Sequence, residues 1–134
     1  MIVLDASVIL KWMFGDEAGA DRARLLRDRH ISGEDLVAVH DLCFYEMANV
    51  LATKTPLHVK DAVEAFSLIY DFDLEVFSFG REEFISGITL ARHYGMTLYD
   101  AAYIALARRL QCQFVTADRK LFERAKTLRE VRLL

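Results

Sequence analysis

Residues 1–12, MIVLDASVILKW, decide how the rest of the chain is read: the apolar run Ile2-Val3-Leu4 stops at Asp5, and Val8, Ile9, Leu10 and Trp12 follow at helical spacing. A short apolar run with a helix directly behind it reads as a strand buried on both faces. Working outward, similar runs occur at Leu36–Val39, Leu74–Phe79 and Gln113–Thr116, each followed within two residues by a polar or glycine residue and a helical pattern. Val131–Leu134 reads as a fifth, edge strand. This order predicts a mostly parallel α/β sheet of about five strands, covered by helices on both faces.

Start and stop signals place the helices between these strands. Asp16-Glu17 are expected to open a helix with Ala20, Ala23, Leu25 and Leu26 as its apolar positions, closed by Gly33. Asp41 is read as the cap of a helix running to about Thr53, with Phe44, Met47, Ala48 and Leu51 on one face. Thr55-Pro56 reads as cap and first residue of the next helix, through Tyr70. A further helix from about Glu82 to Tyr94 stops at Gly95, a residue suited to a left-handed cap. Asp100 is expected to begin Ala-Ala-Tyr-Ile-Ala-Leu-Ala, which is apolar nearly all round and suits a helix packed closely on a sheet. Asp118 then starts a short helix to about Lys126.

The chain has 134 residues, 54% of them hydrophobic, enough for a single domain over 1–134 with a real core. Its N-terminus carries Asp5 and Lys11 inside the apolar stretch and has no basic leader, and no uncharged apolar run reaches the roughly 18 residues of a membrane span. The expectation is a soluble cytoplasmic protein. Cys43 and Cys112 lie in apolar stretches and read as core thiols rather than a disulfide. The net charge of −3 does not favour nucleic acid, but residues 100–134 alone hold 8 Lys/Arg against 4 Asp/Glu.

Four acids carry the functional reading: Asp5, Glu46, Asp100 and Asp118. Each is expected at a strand end or near a helix start, and in an open α/β sheet such positions converge outside the carboxyl ends of the strands. Clustered carboxylates repel one another unless protons or cations intervene. The pattern therefore points to a divalent-metal pocket and to phosphodiester chemistry. Taken singly, Asp5, Asp100 and Asp118 read more readily as helix caps than as ligands, and Glu46 as part of a solvated helix stripe. The absence of a His/Cys set argues against zinc and for hard cations on oxygen ligands.

Four segments resemble one family in its own order: VLDASVILKW at 3–12, YEMANVL at 45–51, MTLYDAAYIALA at 96–107 and FVTADRKL at 114–121. They are similar to the PIN-domain ribonucleases, in particular the VapC-like toxins of type II toxin–antitoxin systems. The resemblance implies a three-layer α/β/α sandwich with strand order 3-2-1-4-5. It places Asp5, Glu46, Asp100 and Asp118 on the family's four acidic positions, as catalytic and metal-binding residues. Ser7 and Thr116 match hydroxyl positions close to the metal. It further implies Mg²⁺ or Mn²⁺ as cofactor, an RNA substrate such as tRNA or rRNA, a cognate antitoxin protein as partner, and a homodimer.

Other residues admit two readings. Trp12 reads as core or interface filler, with base stacking as the alternative. His40 and Asn49 are expected near the site, either as structural residues or, for His40, touching phosphate. Arg119 and Lys120 read as RNA-backbone contacts or as a solvated helix face, Tyr99 and Tyr103 as site wall or core, and the Arg22-to-Arg29 series as a charged surface. Two other functions remain open: a non-catalytic RNA- or partner-binding member of the fold, and phosphoryl transfer through an aspartyl phosphate. The second would need Asp5 as nucleophile, yet no second acid stands beside it and no lysine ends the fourth strand.

Overall fold

The structure, a computed structural model, describes residues 1–134. Five strands form the sheet: β1 (Ile2–Leu4), β2 (Val37–His40), β3 (Glu75–Phe77), β4 (Gln113–Thr116) and β5 (Val131–Leu133). Their order is β3-β2-β1-β4-β5, and every neighbouring pair is parallel. The chain builds outward from β1 to β3, then returns to place β4 on the other side of β1. The switch in direction therefore lies between β1 and β4, where open α/β sheets form their crevice. Register pairs Leu4 with Val115, so Asp5 and Thr116 leave the sheet side by side.

Seven helices connect and cover these strands: α1 (Ala6–Ile9), α2 (Ala20–Ile31), α3 (Leu42–Thr53), α4 (Val59–Tyr70), α5 (Arg81–Tyr94), α6 (Leu98–Arg109) and α7 (Arg119–Ala125). The three layers are those of an α/β/α sandwich, wrapped around one hydrophobic cluster of 28 buried residues that draws on all five strands or their flanks. β2 is buried at all four positions, as a central parallel strand must be. Residues 101–107 of α6 are buried without a break, and four of the seven are alanine, which lets the helix lie close to β1, β2 and β4. No helix is long and apolar enough to cross a membrane.

Gly87 shows how tightly α5 and α6 meet: a Cβ there would stand 2.9 Å from Leu98 Cδ1 and 3.6 Å from Phe79. Gly95, at φ +64°, closes α5 as its sequence position predicted.

Four expected helix caps are not used as such: Asp100 yields to Thr97, and in the other three a competing feature intervenes. α2 begins at Ala20 rather than Asp16-Glu17, because Gly19 turns left-handed at φ +83° and Glu17 instead receives Lys11 Nζ at 2.9 Å. α4 begins at Val59 behind His58, since the Thr55 hydroxyl donates back to the Leu51 carbonyl at 3.1 Å and is spent on the end of α3. Asp41 precedes α3 without capping it. The Leu42 amide donates to His40 Nδ1 at 3.0 Å, and the Asp41 carboxylate accepts from the Ser78 hydroxyl at 2.7 Å.

Candidate functional site

Asp5 sits at the switch point, 5% exposed, where β1 hands the chain to α1. Its Oδ1 accepts from the Ser7 amide at 3.0 Å, the Val8 amide at 3.3 Å and the Ser7 hydroxyl at 2.5 Å, while Oδ2 accepts from the Thr116 hydroxyl at 2.5 Å. Both hydroxyls are used twice. Ser7 Oγ accepts from the Ala117 amide at 2.9 Å, and Thr116 Oγ1 accepts from the Asp118 amide at 3.0 Å. The β4–α7 turn is thus tied to the end of β1 through the two hydroxyls whose positions the resemblance had marked. Asp5 does cap α1, as its single-residue reading held, and it faces the pocket as well.

Glu46 projects from α3, one turn and more inside the helix. Tyr103 on α6 donates its hydroxyl to Glu46 Oε2, and the Tyr103 ring stacks on Phe114 of β4 at 5.6 Å with planes 9° apart. Asp100 is the third residue of α6 rather than its cap. Thr97 takes that role, accepting from the Asp100 amide at 3.1 Å, which frees the Asp100 carboxylate for the pocket. Asp118 caps α7 by accepting from the Lys120 and Leu121 amides at 2.8 and 3.1 Å, and it lines the pocket too.

All four acids line one cavity of about 430 Å³, together with Ser7, Asn49, Lys54 and Tyr103. Burial pushes the Asp5 carboxyl up to about 6, against the pull of its hydroxyl and amide donors. Burial also raises Glu46, opposed by the Tyr103 hydroxyl and reinforced by the charges of Asp5 and Asp100. Asp100 is raised in the same way, by burial first, then by the charge of Asp118, with Thr97 and Arg124 pulling down. Three neighbouring carboxylates held above their ordinary range form a site that gains from positive charge.

No three His, Cys, Asp or Glu side chains stand close enough to form a preformed metal cage. Asp5, Glu46 and Asp118 each hold a hydrogen-bond donor of the protein instead. The shared lining and the oxygen donors of the four acids still suit a hard divalent cation.

Several flanking residues also find their places. His40 is buried between Phe79 and Tyr103, outside the cavity lining, and burial lowers its pKa. Its role is structural. Asn49 does line the cavity, as does Tyr103, while Tyr99 is exposed. Trp12 is core, edge-on to Phe72 at 5.4 Å. Cys43 is a buried free thiol whose pKa burial pushes far up, and Cys112 is a half-buried one. Lys54 went unnoticed in the sequence, although Glu46, Val50 and Lys54 recur every four residues and so share one helix face.

Comparison with known proteins agrees with this architecture. Residues 2–128 match the PIN domain model. Ribonuclease VapC3 of Pyrobaculum aerophilum is 32% identical over 132 residues, covering 95% of this chain and 96% of that protein. A toxin–antitoxin complex from Klebsiella pneumoniae superposes with a TM-score of 0.69 at 16% identity, over 98% of this chain and 96% of that one. The sarcin-ricin loop cleaving toxin VapC20 of Mycobacterium tuberculosis gives 0.67 at 17% identity, over 92% and 94%. With a strand order, a switch-point aspartate and a family match that run through nearly the whole chain, this protein belongs to the PIN-domain family.

Proposed function

We propose that this chain is a metal-dependent endoribonuclease, cutting RNA phosphodiester bonds as the toxin of a toxin–antitoxin pair. The observation that carries the reading is the convergence of Asp5, Glu46, Asp100 and Asp118 on a single cavity at the switch point of the sheet. A named ribonuclease at 32% identity across nearly all of both chains supports the reaction class. The RNA would be a tRNA or rRNA loop, by family.

Asp5, Glu46 and Asp100 would hold Mg²⁺ or Mn²⁺, directly or through water, with Asp118 completing the set or orienting the attacking water. The chemistry such an ion supplies when bound is acidification of water for attack at phosphorus and relief of charge on the leaving oxygen. The protein does the rest. Ser7 and Thr116 fix the Asp5 carboxylate in one orientation, and Tyr103 commits Glu46 Oε2 while leaving Oε1 for the pocket. Lys54 brings a positive charge to the lining, suited to an RNA phosphate.

Two surfaces support the partners. Beside the acids, Leu57, Val59, Val63 and Phe66 line an apolar cavity of about 450 Å³ between α3 and α4, suited to apolar side chains of an antitoxin. A basic or arginine-bearing segment of the same partner would enter the acidic pocket and compete with cation or substrate. Exposed Phe84, Ile85 and Ile88 on α5 support a homodimer.

The direct test is RNA cleavage by the purified protein. Excess EDTA should abolish it and Mg²⁺ should restore it. Undiminished cleavage in EDTA would remove the metal mechanism.

A further inference from the structure

The turn 117–119 separates two cavities of opposite character. Asp118 lines the acidic one, while Ala117 and Arg119 line a second, of about 430 Å³, together with Lys11, Arg22, Gly19 and Leu134. We propose that this second cavity is a phosphate subsite that holds the RNA strand as it leaves the acidic pocket, an inference that rests on the nuclease reading above.

Its cations come from three separate segments: Lys11 from the 3₁₀ turn Leu10–Trp12 behind α1, Arg22 from the first turn of α2, and Arg119 from the start of α7. The fold, not a local charge run, brings them to one concavity. Arg22 and Arg119 have no carboxylate within ion-pair distance, and Lys11 has only the exposed Glu17. Elsewhere on α2, Arg24, Arg27 and Arg29 each meet an acid. The two guanidinium groups left without partners in one cavity repel until an anion arrives, and they match phosphate by paired N–H donors.

Continuity with the acidic pocket selects RNA as that anion. The peptide groups between the cavities are fixed, because the Ala117 and Asp118 amides are both held by the hydroxyls that hold Asp5. A strand cut at the acids and lying along this turn therefore meets Arg119 next. An overall charge of −3 leaves such contacts local, so binding depends on where the cations sit rather than on the net charge.

The test is binding of a fluorescently labelled single-stranded RNA to full-length protein in EDTA, read by anisotropy between 50 and 200 mM KCl. Two phosphate contacts on a single strand contribute a log–log salt slope of about 1.4. Arg22→Gln with Arg119→Gln should flatten the slope by about that amount and weaken binding about tenfold near 0.1 M salt. Arg22→Lys with Arg119→Lys should keep the slope, and Arg92→Gln on α5 should match wild type. Unchanged affinity and slope in the double Gln variant overturn the subsite, even if wild type cleaves RNA. Loss of binding to polyglutamate, with RNA binding intact, assigns the cavity to an acidic peptide and also overturns it. A subsite-dependent slope in a protein that cuts no RNA with Mg²⁺ or Mn²⁺ upholds the subsite and overturns the nuclease reading alone.

Discussion

At the floor of the acidic pocket, Asp5 is almost wholly buried and takes four hydrogen bonds from Ser7, Val8 and Thr116; at the rim, Asp118 is exposed and takes two from the first turn of α7. Both cap helices, and both face the same cavity. The difference lies in what water can do for them. Water screens the rim carboxylate, whereas the floor carboxylate is charged only against a desolvation cost that its donors partly offset. Position is fixed most firmly where charge is most costly, so the floor should govern chemistry and pH response, and the rim helix stability.

The largest effect is expected from Asp5→Asn, which keeps the shape and the cap but removes the charge. RNA cleavage should fall about 10²–10³-fold, a loss comparable to removing one group that stabilises reaction charge. The same variant tests the electrostatic cost in metal-free buffer. Asp5 titrates near 6 in the fold, against about 3.9 in an unfolded chain, so its protonated form is favoured on folding. That contribution is complete below about pH 4 and is lost as pH rises through 6. At pH 8 the Asn variant should therefore exceed wild type by roughly 3 kcal/mol, and below pH 4 the two should converge, as measured by urea unfolding in EDTA. Equal stability at pH 8 would mean that the floor hydrogen bonds already cancel the burial cost.

Tyr103→Phe probes the wall between floor and rim. The ring and its stack on Phe114 remain, and only the bond to Glu46 goes. Cleavage should drop about 10–100-fold, as for the loss of a group that orients a ligand. Stability should fall by about 1 kcal/mol. Full activity in this variant would show that Glu46 needs no orienting partner. The smallest effects belong to the rim: Asp118→Ala should cost about 0.5–2 kcal/mol through the lost cap, and Asp118→Asn only a few tenths. If Asp118→Asn stabilises the metal-free protein at pH 8 as much as Asp5→Asn does, floor and rim are electrically alike and the contrast fails.

How much of this was legible in the sequence depended on how local the deciding contact is. β1 and the buried α6 were readable because apolar runs and an alanine-rich stretch report their own burial. The sheet order and the four acids followed from segments in a recognisable sequence order. Caps were less readable, since a cap is a competition: nothing near Asp41 or Thr55 announces that His40 and Leu51 will take the contact instead. Tyr103 lies three residues after Asp100 and so on the same face, but its partner Glu46 is 57 residues away and invisible to spacing. The choice between cap and pocket for Asp5 and Asp118 had no exclusive answer, because each carboxylate has two oxygens and serves both.

The Thr116 hydroxyl reaches Asp5 across 111 residues of sequence, and that span sets a time of assembly. A ribosome delivers Asp5 more than a hundred residues before it delivers Thr116 of β4, and chains fold as they emerge. Until the segment around residue 116 is free, the central strand lacks one neighbour and Asp5 lacks the donor on its second oxygen. The fourth acid is still to come. A chain made only as far as β3 thus holds no finished pocket, and the centre is completed only once the segment around residues 116–118 has emerged.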